Sequence, residues 1–248
     1  MIDVDINPQP GSPKQAPRML PLGAFGTFLL LGGIFCILAT LGFAWLAKGI
    51  FADQFITFDD GVITWLHGYW GPTIDQIMLF FTTIGGPVVL GLFITLAAAA
   101  LLRVGRWIDA AGLVLAAAGG GLLNQLLKEI FRRVRPALVP SPFHLTSYSF
   151  PSGHAMGSIV CYGMLAYIGI RLVRSRLGKL ALALAATLTV LGVGLSRVYF
   201  GVHYPTDIAG GYLAGAVWLA IAIGVVEAAE RQARRRQHVS VPETTLEQ

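Results

Sequence analysis

Two histidines, an aspartate and three basic residues stand in this sequence at spacings suited to moving a phosphoryl group. His203 lies four residues before Asp207, with Pro205 between them. Proline suits a first helical turn, and a four-residue step puts two side chains on one helical face. Asp207 can then accept the proton on one imidazole nitrogen, leaving the other neutral, oriented and able to attack phosphorus. His154 ends the run Pro151-Ser152-Gly153-His154 and is placed to protonate a leaving oxygen. Lys128, Arg135 and Arg197 are cations. Arginine presents a planar fork that matches phosphate oxygens, and lysine acts as a point charge. Gathered together they repel one another until a dianion enters. The Pro-Ser-Gly run adds backbone donors: Ser152 at or near a helix cap, and Gly153, which allows close approach, aim N–H groups and a helix dipole at a bound anion. The chain has no GxxxxGK[ST] run, so the anion site is not a nucleotide P-loop.

These residues fall in three segments, 128–136, 151–154 and 196–207, and the elements between them must bring them together. Of the 248 residues, 55% are hydrophobic and only 12% charged, half the usual share of a soluble domain. The bilayer is therefore the expected solvent. Six apolar runs, near 23–47, 86–103, 108–130, 153–173, 178–197 and 206–228, each approach the ~20 residues a helix needs to cross. Gly85-Gly86-Pro87 is expected to break the chain at the start of the second. The fold class is thus all-α integral membrane, a six-helix bundle. Twelve Lys and Arg fall on one side of these spans and six on the other, which puts both termini in the cytoplasm. The ends of spans three and five and the starts of four and six then share the extracytoplasmic face, and the three segments meet there. The net charge of +5 is a topology signal on this reading, with no nucleic acid as partner.

Other features are read more plainly. Phe51, Phe55, Phe58, Val62, Trp65 and Tyr69 recur at helical spacing with Asp53, Asp59 and Asp60 off that face, which predicts an interfacial helix after the first span. Gly119-Gly120-Gly121, Gly211 and Gly215 predict close helix packing. Cys36 and Cys161 sit in apolar runs as packing residues, and neither a disulfide nor a metal site follows from them. His67, His144 and His238 are read as interface residues, and Arg132 and Arg133 as snorkelling or headgroup contacts outside the site. Residues 1–20 are polar and proline-rich, a disordered cytoplasmic leader whose acidic start argues for an uncleaved first span. Residues 21–229 form the membrane domain, and 230–248 a disordered cytoplasmic tail.

The three segments resemble the signature of the type 2 phosphatidic acid phosphatase family, integral-membrane lipid phosphatases: KxxxxxxRP, then PSGH, then SRxxxxxHxxxD. Lys128 and Arg135-Pro136, Pro151 to His154, and Ser196, Arg197, His203 and Asp207 match without departure. The resemblance implies six membrane helices and hydrolysis without metal or other cofactor. It implies that His203 forms a phosphohistidine, that Asp207 supports it and that His154 protonates the leaving group. Lys128, Arg135, Ser152, Gly153 and Arg197 would hold the phosphate. Family substrates include phosphatidylglycerol phosphate, phosphatidic acid and undecaprenyl diphosphate, and the sequence does not choose among them or specify an oligomeric state. A lipid-to-lipid phosphotransferase, for example onto lipid A, would use the same residues. A non-catalytic lipid or phosphate transporter would leave the histidine–aspartate set without a role.

Overall fold

In lipid a backbone amide finds no water to bond, so long apolar runs close their hydrogen bonds internally as helices. The computed structural model describes residues 22–143 and 145–239, and every regular element among them is helical. In chain order these are α1 (Leu22–Phe51), α2 (Ile56–His67), α3 (Pro72–Ile84), α4 (Pro87–Arg103), α5 (Trp107–Phe131), α6 (Gly153–Leu172), α7 (Arg176–Tyr199) and α8 (Pro205–Val239). Among the described residues, α1, α5, α6, α7 and α8 are each long and apolar enough to cross a bilayer. The expected second span is different. α4 has only 17 residues and is preceded by α3, which the sequence reading left without an element. The two helices are bent by 52° at Gly85-Gly86 and, taken as one bent span, are a sixth candidate. Gly85-Gly86-Pro87 is therefore the middle of a broken span, and both Gly85 and Pro87 line the cavity described below. Irregular backbone at membrane depth is tolerated where it faces such a cavity.

Glycine sets the distances between helices at two seams. A Cβ on Gly211 would lie 2.8 Å from the Ser152 carbonyl, so α8 touches the backbone of the α6 start. On α5, Gly119 receives the Trp218 ring of α8, whose Nε1 donates to the Ala116 carbonyl at 2.8 Å. The opposite end of the bundle is clamped by charge. Asp109 of α5 forms an ion pair with Arg106 at 2.6 Å and accepts from Arg171 of α6 at 3.0 Å, and Arg171 also pairs with Glu230 of α8. Large apolar side chains such as Leu30, Leu41 and Leu188 point outward, as lipid permits.

The aromatic segment after span one is helical. Phe58, Trp65 and Tyr69 are exposed, and α2 packs inward through Ile63, Leu66 and the fully buried Asp59. Asp59 thus lies off the aromatic face and at the centre of the packed one. Past the expected end of span six, α8 stays helical to Val239, because Glu227-Ala-Ala-Glu-Arg-Gln-Ala-Arg is built from strong helix formers. The leader expected over 1–20, the tail beyond 239 and His144 lie outside the described residues, as does the side chain of His238.

Candidate active site

Serine at a helix start trades its hydroxyl for a missing backbone partner, and α6 begins that way: Ser152 Oγ accepts from the Ala155 N–H. The Ser152 N–H in turn donates to the Asp207 carbonyl at 3.0 Å, so the first turns of α6 and α8 are bonded directly. Pro205 starts α8, which puts Asp207 in its first turn and His203 on the approach. This arrangement follows from the Gly211 contact one turn further along.

His203 is almost fully buried, and its two nitrogens have distinct environments. Arg135 Nη1 lies 3.1 Å from Nε2. Arginine can only donate, so Nε2 carries the lone pair and Nδ1 the proton. Nδ1 faces Asp207 Oδ2 at 3.3 Å, and Ser149 Oγ lies at the same distance while donating to that oxygen. The Tyr204 N–H adds a bond to Asp207 Oδ2 at 2.9 Å. Burial is the main cause that lowers the His203 pKa to about 4, assisted by Arg135 and Arg197 and opposed by Asp207. The site thus holds a neutral imidazole whose Nε2 lone pair faces Arg135 on the cavity side.

That cavity, about 390 Å³, is lined by His203, His154, Lys128, Arg135, Arg197 and Gly153 among others. Each cation is held by neutral acceptors. Lys128 Nζ donates to the Tyr148 carbonyl, and Arg135 donates to the carbonyls of Ser147 at 2.8 Å and Val202 at 2.7 Å. Burial lowers the Arg135 pKa, with Asp207 opposing. Arg197 donates to Thr82 Oγ1 of α3 and lies over the Phe143 ring, and its buried Nε has no partner. Carbonyl and hydroxyl dipoles position these cations without neutralising them, which is an environment an anion can exploit. His154 Nε2 lies beside the broken span, 3.9 Å from where a Gly86 Cβ would be.

Six of the eight predicted site residues share the cavity. The other two, Asp207 and Ser152, stand behind it, fully buried. Asp207 reaches it through His203. Ser152 Oγ caps α6 and its N–H donates to the Asp207 carbonyl, bonds that hold the Gly153–His154 turn in place.

Three residues were missed by the sequence reading. Ser149 bonds Asp207 and lacks any distinguishing spacing. Arg133, expected to snorkel, instead reaches inward: Nη1 donates to Asp207 Oδ1 at 2.7 Å and Nη2 to Asp59 Oδ2 at 2.8 Å. Burial opposes its charge, but Asp207 and Asp59 more than offset this and raise its pKa. Asp59 also accepts from the Thr206 N–H at 3.1 Å and Oγ1 at 2.6 Å. The available signal was an aspartate inside an otherwise aromatic amphipathic run. Arg132, with φ +44° at the end of α5, pairs with exposed Glu129 and stays outside the site.

Comparison with known proteins extends this picture. The family model of the PAP2 superfamily matches residues 109–231. The chain is 33% identical over 162 residues to phosphatidylglycerophosphatase B of Bacillus subtilis (strain 168), covering 64% of this chain and 79% of that protein. It is 31% identical over 115 residues to lipid A 1-phosphatase of Rhizobium johnstonii, covering 43% of each. Among solved structures, the transmembrane PAP2-type phosphatidylglycerolphosphate phosphatase from Bacillus subtilis superposes with a TM-score of 0.74. The identity is 30%, with 79% of this chain and 98% of that one covered.

Proposed function

Because this chain belongs to the PAP2 superfamily and is an integral membrane protein, we propose that it hydrolyses a phosphomonoester or diphosphate lipid through a phosphohistidine, on the extracytoplasmic face of the cytoplasmic membrane. The observation that carries this reading is one cavity holding two histidines and three cations at one end, with apolar walls below. From Lys128 to Ala117 on α5 the lining runs roughly 16 Å along the helix, and Leu90, Ile94 and Gly121 flank it. A phosphate at the cations therefore has its lipid tail pointing into the membrane.

The geometry supports the following steps. An entering phosphate replaces carbonyls on Arg135 and Lys128 and satisfies the free Nε of Arg197. Moving Arg135 onto the phosphate uncovers His203 Nε2, whose lone pair attacks phosphorus. The bond to the lipid oxygen breaks, and that oxygen keeps its electron pair and takes a proton from His154, which binds that proton from solvent as the phosphate dianion enters. The Nδ1 proton stays between His203 and Asp207, which faces the positive charge now on the ring. Neutral His154 then takes a proton from water, whose oxygen attacks phosphorus and returns the N–P electron pair to Nε2. Fixed cations and the α6 N-terminus stabilise the charge on the transferring group.

Phosphatidylglycerol phosphate is the first substrate to test, because the relative matched over most of its length carries that activity in its name. Purified protein is assayed for phosphate release from phosphatidylglycerol phosphate, phosphatidic acid and undecaprenyl diphosphate with EDTA present. We expect release by the wild type that is lost in His203→Ala and His154→Ala. Folded protein that releases no phosphate alone, but transfers it to an added lipid, would replace hydrolysis with phosphotransfer.

A further inference from the structure

The pairing of Asp207 with Arg133 creates an electrostatic difficulty for phosphoryl transfer. As His203 becomes phosphorylated its ring gains positive charge, and Asp207 is the anion facing it. Arg133 sits 2.7 Å from the other oxygen of the same carboxylate. Taken alone, that pair has no net charge and offers the ring little. Asp59 changes the sum. It is fully buried and lies 2.8 Å from the second guanidinium nitrogen, so one cation is shared by two carboxylates and the trio carries one net negative charge. Geometry locks the arrangement. Nη1 bridges Asp207 and Thr206, Nη2 takes Asp59, and the guanidinium face rests on the Tyr204 ring at 4.1 Å. The trio joins α2, the stretch after α5 and the first turn of α8 at a single point.

We propose that Arg133 and Asp59 are positioning residues for the reaction: Arg133 holds Asp207 with Oδ2 turned to His203, and Asp59 restores the negative charge that Arg133 would otherwise cancel. The proposal rests on the phosphatase reading above. It assigns α2 a part in the chemistry, although that helix lies outside all three signature segments. The groups facing His203 are Asp207 and Ser149 behind it, and Arg135, Arg197, Lys128 and His154 around the cavity. Against that positive lining, one negative charge more or less behind the ring is a large fraction of the local balance.

Charge balance and simple packing make opposite forecasts for a double variant. The full chain is purified in detergent as wild type, Asp59→Asn, Arg133→Met and Asp59→Asn/Arg133→Met. Each is assayed for phosphate release from dioctanoyl phosphatidic acid in mixed micelles. The His203 protonation midpoint is read on the unliganded proteins by ¹⁵N-histidine NMR, assigned against His203→Gln. Asp59→Asn leaves Arg133 paired with Asp207 alone. We expect kcat to fall about tenfold or more, KM to hold within about twofold, and the His203 midpoint to move further to acid. The double variant removes the excess cation as well, so the midpoint returns most of the way to wild type, while kcat recovers only in part because Arg133 no longer holds Asp207. A double variant as impaired as the product of the singles, or an Asp59→Asn protein with wild-type kcat and midpoint, overturns the proposal. Should Asp59→Asn fail to fold, Arg133→Lys is read instead. Lysine keeps the charge but cannot fork between two carboxylates, so kcat must drop with KM held, and wild-type kcat overturns the positioning role. A folded wild type that releases no phosphate sinks the phosphatase reading separately, and the NMR midpoints still decide the charge balance.

Discussion

Gly211→Ala adds one carbon at the seam that holds α6 against α8, and its cost can be worked from the contacts. The new Cβ would lie 2.8 Å from the Ser152 carbonyl oxygen, 3.0 Å from Ala155 Cβ and 3.3 Å from the Met156 nitrogen. Ordinary van der Waals contact begins at 3.4 Å, so the Ser152 carbonyl must retreat by about 0.6 Å, the difference between 3.4 and 2.8. That carbonyl accepts the first hydrogen bond of α6, and the Ser152 N–H is bonded to Asp207. Backbone cannot rotate out of the way as a side chain can, so the whole α6 start moves, taking Gly153 and His154 away from His203. A misplacement of 1 Å in an active site costs roughly a hundredfold, so 0.6 Å corresponds to about tenfold in kcat. Overpacking a tight seam also costs about 1–3 kcal/mol of stability. Gly224→Ala on the same helix is the control, because nothing lies within 4 Å of its Cβ, and alanine is the better helix former. The assay is phosphate release from phosphatidylglycerol phosphate, with melting in the same detergent. Wild-type kcat and melting in Gly211→Ala, or equal damage from Gly224→Ala, would refute the seam as the device that sets the histidine spacing.

Four further outcomes are expected. His203 has a folded pKa of about 4, below the ordinary histidine value of about 6.5. Between these values the unfolded chain binds a proton that the folded one refuses, so its contribution to stability is complete above pH 6.5 and is lost as pH falls toward 4. A ¹⁵N-histidine titration should therefore show a neutral, Nδ1-protonated His203 at pH 5.5, and a midpoint near 6.5 would contradict the burial argument. Thr82→Val removes the Arg197 acceptor on α3 and should raise KM severalfold with a smaller change in kcat, measured by steady-state phosphate release. Ser149→Ala deletes one bond to Asp207 but leaves those from Tyr204 and Arg133, so kcat should fall only a few-fold and melting by little. Arg171→Leu, at the far end, removes a partner from Glu230 and from Asp109, which keeps Arg106, and should lower thermal stability by up to about 3 kcal/mol. Its kcat below the melting range should match wild type.

The candidate site was legible because it gathers residue types that a membrane helix otherwise avoids. A lysine, two arginines and two histidines at the ends of apolar spans are conspicuous, and span count alone puts them on one face. Hydropathy also marked five spans directly, since crossing a bilayer requires length and apolarity and little else. The broken span was half visible: Gly85-Gly86-Pro87 announces a break, but whether a helix precedes it depends on α3 packing along α7, where Thr82 meets Arg197 and Asp75 meets Tyr199.

Spacing within a segment thus determined which residues could act and which pairs share a helical face, because the helical repeat is a local property. Tertiary structure alone decided what stands behind them. Arg133 and Arg132 are neighbours of the same type at the end of one helix, yet one pairs with exposed Glu129 and the other bridges two buried carboxylates. The difference is the backbone turn at Arg132 together with an aspartate 74 residues away in sequence on α2. Ser152, expected to hold phosphate, also caps α6, and its N–H donates to the carbonyl of Asp207 on α8, a pairing that no spacing within its own segment announces. A charge is placed by its sequence, but its compensation comes from whichever elements pack against it.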